Sequence, residues 1–395
     1  WADCTRPVNP LQQEQHFHYD ALGRVSAVEL PDGNHIRLQY NAYEEVLQVT
    51  DKQYNIRFGY TPLGSLKMRE ENGAKVHFVY NKEEQLTALV NEHGETYRFG
   101  RNGRGEIIHE TGFDGLERHY ERAATGKVVK VQRPGQRWTE FEYDYNGRLS
   151  RAEHSDGSWQ TYSYTRSGQL AEAANEHSTV KFQRNAMGRV VQEWQNGYAV
   201  NSSYDANGRR SKLQSSLGAQ IQLQRNAVGD VTGIQAQAQD TLSPWSAHIT
   251  RNLLGLEIER TLPGGIKSSW RFDKAGMPET HTVTGGERKM RHRQYRWNAN
   301  QQLKEIVNNI NGGAVRFGHD AFGNLAWAQY ENGEYDYRVP DKAGNVYETQ
   351  GGKDRRYTPG GKLLESADAR FVYDDEGNLT RKTVKSQPAG MVTWE

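Results

Sequence analysis

The sequence lacks several features that define common classes of protein. It has one cysteine, Cys4, which excludes an intramolecular disulfide framework. No apolar run approaches the roughly eighteen residues that a membrane-spanning helix needs, so we expect no membrane span. Neither sign of charge dominates, because 50 Lys and Arg face 49 Asp and Glu for a formal net charge of +1. A nucleic-acid groove is usually basic, so we expect no nucleic-acid partner.

Apolar residues are also scarce. Only 35% of the 395 residues are hydrophobic, which is low for a packed protein of this size, yet 10% are aromatic. A disordered chain has few aromatic residues and no periodicity. The composition therefore favours a thin β-sheet with water on much of both faces, in which rows of aromatic side chains supply the burial. A hollow shell has this composition.

What the sequence does contain is a repeat. The stretch Phe141–Leu149 reads Phe-Glu-Tyr-Asp-Tyr-Asn-Gly-Arg-Leu, and related stretches begin at Phe17, Phe182 and Phe371. Alignment on the glycine gives eighteen units, with the aligned position at 23, 44, 64, 84, 105, 126, 147, 168, 188, 208, 229, 255, 276, 301, 323, 344, 361 and 377. A repeat sustained over the whole chain predicts one solenoid-like body rather than two or three separate domains.

Two turns are predicted in each unit. Asp or Asn stands three residues before the aligned position in fourteen units, and Gly occupies that position in all but three, the exceptions being Glu44, Glu84 and Gln301. This is the composition of a type I turn closed by a left-handed glycine, which we name the unit turn. Midway between unit turns, pairs such as Asn72-Gly73 mark a mid-unit turn, and they predict a tight hairpin with positive φ at both central residues.

Between the turns, apolar and polar residues alternate. Ile36, Leu38 and Tyr40 show the period of two that is typical of a half-buried strand. Eighteen units predict about thirty-six antiparallel strands, in a sheet on the order of 170 Å long at about 4.8 Å per strand. Open sheets rarely exceed about ten strands without curling or closing. The predicted fold is therefore all-β, with tandem β-hairpins of about 21 residues in one long antiparallel sheet that spirals into a hollow shell.

Four residues before the aligned position lies what we name the ladder position. It holds an aromatic residue in eleven units and Arg in five. We expect these side chains to stack in a ladder from unit to unit, with the planar guanidinium of Arg replacing an aromatic ring. Structural roles are predicted for the ladder, Asp or Asn, and Gly positions of six units, namely Tyr19, Asp20, Gly23, Arg101, Asn102, Gly105, Tyr143, Asp144, Gly147, Arg184, Asn185, Gly188, Tyr204, Asp205, Gly208, Tyr373, Asp374 and Gly377.

The spacing of the units divides the chain. Residues 1–16 precede the repeat as a lead-in segment, and residues 17–395 form the repeat region, which we interpret as part of a larger shell. The step between aligned positions is 20 or 21 residues up to Gly229, 26 in the next step, 25 after Gly276, and 17 and 16 after Gly344. These irregular steps predict longer or shorter hairpin loops.

The unit Tyr-Asp-x-x-Gly-Arg-Leu/Val resembles the YD repeat of the Rhs family over about residues 17–380. That family includes bacterial polymorphic toxins, shell components of insecticidal toxin complexes, and teneurins. The resemblance implies a β-cocoon that encloses and delivers the protein's own C-terminal toxin domain, often by type VI secretion in bacterial competition. The implied partners are that toxin domain, the remaining shell segments, and a secretion spike or adaptor. The implied localisation is that of a secreted effector, cytoplasmic before export.

Two family features are missing from the sequence. Bacterial Rhs cores end in an Asp-Pro-x-Gly motif associated with self-cleavage, and no Asp-Pro dipeptide occurs here. Nothing after Leu379 resembles a toxin domain. We therefore expect no enzymatic activity in this chain, with any toxin or self-cleavage activity lying outside it.

Other candidate sites are weak. His16 and His18 share one strand face and could hold a metal, but their alternation with Phe17 is more typical of a solvated strand. Asp374–Gly377 lacks the EF-hand spacing and matches a unit turn, and no helical pattern follows the glycines of Gly100–Gly105. The sequence therefore predicts no catalytic, cofactor-binding or metal-binding residues and no cofactor.

An alternative function remains open at this point. Repeats of this kind could form a cell-surface adhesion module that binds carbohydrate through exposed aromatic side chains. This alternative predicts rows of aromatic rings that face outward at the spacing of sugar rings.

Overall fold

The computed structural model describes residues 6–9, 13–239, 243–385 and 393–394, and most of this part of the chain is β-strand. Apart from strands, its regular structure is limited to a short 3₁₀ turn at Pro263–Gly265. Within these ranges no helix has the length and apolar character needed to cross a membrane. The prediction of an all-β fold is confirmed.

The strands of the first half are β1 (His16–Tyr19), β2 (Val25–Glu29), β3 (His35–Tyr40), β4 (Val46–Thr50), β5 (Asn55–Tyr60), β6 (Leu66–Glu71), β7 (Ala74–Tyr80), β8 (Leu86–Val90), β9 (Thr96–Arg101), β10 (Ile107–Thr111), β11 (Glu117–Arg122), β12 (Val128–Arg133), β13 (Arg137–Tyr143), β14 (Leu149–His154), β15 (Trp159–Tyr164), β16 (Leu170–Asn175), β17 (Thr179–Arg184), β18 (Val190–Gln195) and β19 (Tyr198–Tyr204). Those of the second half are β20 (Arg210–Ser215), β21 (Gln220–Arg225), β22 (Val231–Gln237), β23 (Trp245–Arg251), β24 (Glu257–Leu262), β25 (Ile266–Phe272), β26 (Pro278–Gly285), β27 (Arg288–Trp297), β28 (Leu303–Asn308), β29 (Ala314–His319), β30 (Leu325–Gln329), β31 (Tyr335–Tyr337), β32 (Val339–Pro340), β33 (Val346–Tyr347), β34 (Arg356–Tyr357), β35 (Leu363–Glu365), β36 (Ala369–Tyr373), β37 (Leu379–Val384) and β38 (Thr393–Trp394).

The strands follow one another in space as they do in sequence. Strands β1 to β31 form one 31-stranded sheet in which each strand pairs antiparallel with the next. Strands β32 and β33 form a separate pair, and β34 to β38 form a five-stranded sheet. The period of two gives the two faces different characters, as in β3, where Ile36, Leu38 and Tyr40 are half-buried and the residues between them are exposed.

The unit turns have the predicted geometry. Gly147 is left-handed, with φ of +74°, and Tyr143 pairs with Leu149 across a one-residue register shift, as in a hairpin closed by a glycine bulge. Glu44, Glu84 and Gln301, which replace the glycine, also have positive φ, at 67°, 55° and 59°. The turn therefore imposes the left-handed conformation whichever residue occupies the position.

The mid-unit turns are of two kinds, and the prediction is correct for one of them. Asn72 and Gly73 both have positive φ, at 48° and 88°, as a two-residue hairpin turn requires. In the Asp114-Gly115 turn only the glycine is left-handed, so the prediction is wrong there. The Asp114 carboxylate accepts a hydrogen bond from the Leu116 N–H at 3.1 Å and thereby caps a longer type I turn.

The irregular spacing has more than one cause. The 26-residue step contains a longer loop between Gln237 and Trp245, as predicted, and part of that loop lies outside the described residues. The 25-residue step is different, because its extra residues lengthen β26 and β27 to eight and ten residues around a short turn. After Gly344 the strands β33 to β35 shrink to two or three residues.

The sheet has very little core. Among the described residues no large side chain is fully buried, and the buried apolar residues are alanines together with Ile249. Large apolar side chains are half-buried on one face of the sheet, as the composition predicts for a thin wall. Stability must therefore come from contacts repeated between neighbouring units rather than from a central cluster.

The sheet also winds round on itself, as predicted. Gln301, in a late unit turn, donates a hydrogen bond to Asp32 in an early mid-unit turn, and Glu376 forms ion pairs with Arg133 and Arg137. About two dozen strands separate the partners in each contact, which at roughly 4.8 Å per strand gives a circumference of about 115 Å and a diameter of about 37 Å.

The left-handed turn can be tested at Gly23. Its φ is +79° and no atom lies within 4 Å of the position that a Cβ would occupy. Gly23→Ala should therefore cost only the conformational strain, about 1–2 kcal/mol, and lower the urea midpoint of unfolding. Gly103→Ala is the control, because Gly103 has equal space and no positive φ. Equal midpoints for the two variants would contradict the assignment.

Candidate functional site

The first candidate feature is the cap of each unit turn. Asp144 Oδ1 accepts hydrogen bonds from the N–H groups of Asn146 and Arg148, both at 2.9 Å, and Arg148 Nε donates to Asp144 Oδ2 at 2.7 Å. The Arg148 guanidinium and backbone N–H hold the pKa of Asp144 below its usual value. The carboxylate thereby fixes the turn and orients the arginine that follows the glycine.

The second feature joins most units to the unit before. The Tyr143 hydroxyl donates a hydrogen bond of 2.7 Å to the carbonyl of Val128, which lies two residues after the preceding aligned glycine. The same hydroxyl-to-carbonyl bond is made by Tyr40, Tyr60, Tyr80, Tyr164, Tyr204, Tyr357 and Tyr373. Each bond lies beside the bulge of the preceding unit and ties two hairpins together.

Arginine makes the same connection. Arg101 Nη2 donates to the carbonyl of Leu86 at 3.0 Å, and its Nη1 donates to the carbonyl of Gly105 in its own turn at 2.8 Å. The other ladder arginines repeat both bonds, at Arg122, Arg184, Arg225 and Arg251. Trp297 makes the inter-unit bond through its indole N–H. Tyr, Arg and Trp are therefore interchangeable because each carries a donor at the end of a long flat side chain.

The expectation that ladder rings stack on one another is wrong. Neighbouring ladder positions are two strands apart, about 9.6 Å, which exceeds the range of ring stacking. Instead, in four units the cation that follows the aligned glycine covers the ring of the next unit, at Arg24, Lys127, Arg148 and Arg189. Arg24 lies 4.6 Å from the Tyr40 ring centroid, and Arg148 lies 4.5 Å from that of Tyr164. Because Arg148 also pairs with Asp144, cap and ladder form one continuous network.

The structure places all the predicted repeat residues within the hairpins. The six glycines are left-handed, at Gly23, Gly105, Gly147, Gly188, Gly208 and Gly377. The six capping side chains accept from backbone N–H groups of their own turn, at Asp20, Asn102, Asp144, Asn185, Asp205 and Asp374. Tyr19 ends β1, in the first unit that the repeat alignment gives.

The third feature is a seam between successive circuits of the spiral. Mid-unit turns of early units contact unit turns of late units. The residues in contact are separated by 237 to 269 positions in the sequence. The contacts join Asp32 to Gln301, Asn72 to Ala321, His93 to Asp341, Glu95 to Gly360, Asp114 to Lys362, and Arg133 and Arg137 to Glu376. Sequence reasoning missed these residues, because nothing local distinguishes a seam turn from a free one.

Glu376 is the centre of the seam. Its two carboxylate oxygens lie 2.7 Å from Arg133 Nε and 2.7 Å from Arg137 Nη1, and its side chain is only 15% exposed. Nearby, burial raises the pKa of Asp114, but the hydrogen bonds from Lys362 and the Leu116 N–H and the charge of Lys362 together lower that pKa overall. Charge-assisted bonds of this kind hold two circuits in fixed register.

The weak candidates of the sequence do not become sites. His16 lies 3.4 Å from Glu14 and His18 lies 3.1 Å from Glu29, so the two histidines pair with different carboxylates. Asp374 caps a unit turn and accepts the Asn378 N–H. The glycines of Gly100–Gly105 lie in β9 and the unit turn that follows it.

The ladder bond can be tested at Tyr143. Tyr143→Phe keeps the ring and removes the donor to Val128, so we expect a loss of about 1 kcal/mol in unfolding free energy and faster digestion by protease. Tyr143→Arg should retain most of the stability, since Arg supplies the same donor. The matched control is Tyr145→Phe at the exposed turn tip, which should change nothing. Equal losses at both tyrosines would refute the inter-unit role.

The caps predict sensitivity to acid. Hydrogen bonds from Arg24 and from Arg148 lower the pKa values of Asp20 and Asp144, respectively. A carboxylate whose pKa is lowered in the folded state stabilises the fold at pH values above its unfolded pKa of about 3.9. That stabilisation is lost as the pH falls through the pKa of the folded state. The thermal midpoint should therefore fall between about pH 5 and pH 3. The Asp20→Asn/Asp144→Asn variant keeps the caps, as Asn102 and Asn185 do, and should show a smaller fall. An undiminished fall would contradict this account.

Comparisons with known proteins agree with the repeat. No family model matches the chain. The chain is 25% identical over 396 residues to double-stranded DNA deaminase toxin A of Burkholderia cenocepacia (strain H111), covering 95% of this chain and 26% of that protein. It is also 25% identical over 402 residues to the probable deoxyribonuclease RhsA of Dickeya dadantii (strain 3937), covering 92% and 26%. The chain thus spans about a quarter of the length of these relatives.

Solved structures share the fold. The crystal structure of TcdB2-TccC3 matches with a TM-score of 0.71 at 10% identity, over 97% of this chain and 26% of that one. A Photorhabdus luminescens Tc holotoxin pore with a mutant TccC3 matches with a TM-score of 0.70 at 10% identity, over 96% and 25%. The repeat, the sheet and the named relatives together confirm the resemblance: the chain is related to the Rhs and YD-repeat proteins.

Proposed function

We propose that this chain forms part of the wall of a closed shell, which encloses a toxic polypeptide carried in the same protein and delivers it to a target cell. The observation that carries the proposal is the seam, where Glu376 binds Arg133 and Arg137 of the preceding circuit. A wound sheet without a seam would leave a gap between circuits. A wall that isolates its contents needs that gap closed.

Exposed apolar side chains at the early unit turns support the proposal that the chain is part of a larger shell. At the tips of early unit turns, Leu22, Tyr43 and Leu63 are 69%, 84% and 75% exposed. At the same position of a seam turn, Phe322 is only half-exposed. An apolar tip that is half-covered where a neighbouring circuit is present, as at Phe322, is suited to dock against one. In this proposal, further shell segments cover the early tips.

The contents of the shell belong, in this proposal, to the rest of the protein. The relatives are named as a DNA deaminase toxin and a deoxyribonuclease, and the chain matches only a quarter of each. Catalysis would then reside in the enclosed polypeptide, while the wall isolates it and carries no active site. Export by type VI secretion and action on competing bacteria form the finer part of the same proposal.

The ladder tyrosines do not support the adhesion alternative. The ladder hydroxyls of tyrosines such as Tyr143 and Tyr164 bind backbone carbonyls, and cations cover their rings. A ring engaged in this way does not offer a free face for sugar stacking.

The test uses the full-length protein that contains this chain. Native size-exclusion chromatography followed by denaturing intact-mass analysis should show a separate toxin polypeptide that travels with the shell until denaturation. Limited proteolysis of the native protein should leave that polypeptide intact. A single uncleaved chain with an accessible C-terminal region and saturable glycan binding would overturn the proposal in favour of adhesion.

A substitution in the seam tests the same proposal more directly. Glu376→Lys places a third cation beside Arg133 and Arg137, so we expect the enclosed polypeptide to become accessible to protease. Glu193→Lys is the matched control, because Glu193 is exposed within a strand and has no ion pair among the described residues. Equal protection in both variants would show that the seam does not close the shell.

A further inference from the structure

We propose that His109, Glu117 and His119 form a binding site for a divalent transition metal, with Zn²⁺ as the natural occupant by ligand chemistry. The proposal does not depend on the enclosed toxin or on how the shell is delivered. The sequence analysis missed these residues, although the signal was present. The Asp114-Gly115 turn sets the hairpin register, and that register places residues 109 and 119 opposite each other.

The three side chains meet on one face of adjacent strands. His109 on β10 pairs directly with His119 on β11, and Glu117 lies two residues before His119 on the same face. The two imidazole rings are 4.4 Å apart between centroids and 15° from parallel. One ligand atom from each of the three residues falls within 4.8 Å of the others. Among the described residues no other group of His, Cys, Asp and Glu meets this condition.

The distances fit coordination better than hydrogen bonding. Nε2 of His109 and Nε2 of His119 each lie 3.7 Å from the same oxygen of Glu117, which is too long for a hydrogen bond. Two ligands about 2.0–2.1 Å from a tetrahedral Zn²⁺ stand about 3.4 Å apart. Rotation of the two stacked rings toward Glu117 would bring one carboxylate oxygen and two imidazole nitrogens onto a common ion.

One of the ligand atoms is otherwise unsatisfied. His109 Nε2 is shielded from solvent and has no hydrogen-bond partner among the described atoms. A buried nitrogen without a partner destabilises the fold, and coordination would remove that cost. Glu117 is likewise available, because its ion-pair partners among the described residues are these two histidines and no arginine or lysine.

The surroundings leave room for an ion. His109 lies opposite Gly100 of β9, where a Cβ would come within 3.2 Å of the His109 Cβ, so bare backbone flanks the histidine on that side. Glu117 and His119 line an open groove of about 690 Å³ whose far wall includes Asp374 and Asp375 of the next circuit. The fourth coordination position would face this groove and take a water molecule.

The ligand set indicates which metals bind. Two imidazoles and one carboxylate form a common three-residue Zn²⁺ site, and they also suit Ni²⁺ and Cu²⁺. Mg²⁺ and Ca²⁺ prefer oxygen ligands and should not bind. A bound ion would cross-link β10 and β11 next to the seam and stabilise the wall at that point.

The test uses the full-length protein after removal of metal with EDTA. Titration with ZnCl₂ by calorimetry, and with Co²⁺ by visible absorption, should show one equivalent that is absent from the His109→Ala/His119→Ala variant. Glu117→Gln should weaken Zn²⁺ binding by more than about 10-fold. Zn²⁺ should also raise the thermal midpoint of the unsubstituted protein and not that of the double variant.

Two controls distinguish lost binding from lost folding. His77→Ala removes an exposed histidine from β7 and should leave the stoichiometry unchanged. In the absence of metal, the double variant should melt at or above the temperature of the unsubstituted protein, since it removes an unsatisfied nitrogen. The same number of Zn²⁺ equivalents in the double variant and the unsubstituted protein would overturn the proposal.

Discussion

Fourteen of the eighteen units are held to the one before by a hydrogen bond from the ladder side chain to a backbone carbonyl, and the rest of the wall depends on this bond. The acceptor lies just after the preceding unit turn, beside the bulge, where the strand ladder is locally disrupted. The bond therefore reinforces each hairpin where it is weakest. It also explains why Tyr143, Arg101 and Trp297 can occupy one position, since all three present a donor at the same reach.

A wall of this kind can fold with few apolar residues because its stabilising contacts recur in many units along the chain. The capping carboxylate, the cation that follows the glycine and the next ladder ring form a chain of contacts that runs through Asp144, Arg148 and Tyr164. No single contact is strong, and exposed ion pairs contribute little each. Repetition along the chain supplies the total, as in other proteins built from nearest-neighbour contacts.

Winding adds a constraint that no single unit contains. Once the sheet has turned through about two dozen strands, the mid-unit turns of one circuit face the unit turns of another. Those turns then need complementary side chains, which Arg133, Arg137 and Glu376 supply. The same closure brings Asp374 and Asp375 to the groove beside His119 and Glu117, so the proposed metal site and the seam share one region of the wall.

The sequence by itself determined the all-β class, the hairpin unit and its unit turns, because an Asp or Asn cap, a left-handed position and period-two alternation are local properties. Even Glu44, at φ of 67°, follows the turn that its neighbours dictate. Only the tertiary structure decided what the ladder side chains bind, since Tyr143 and Val128 come together through strand register. The tertiary structure alone also decided the seam. The pairing of Arg137 with Glu376 depends on how far the sheet twists over about two dozen strands. That twist is the sum of many small angles between neighbouring strands, and no single unit encodes it.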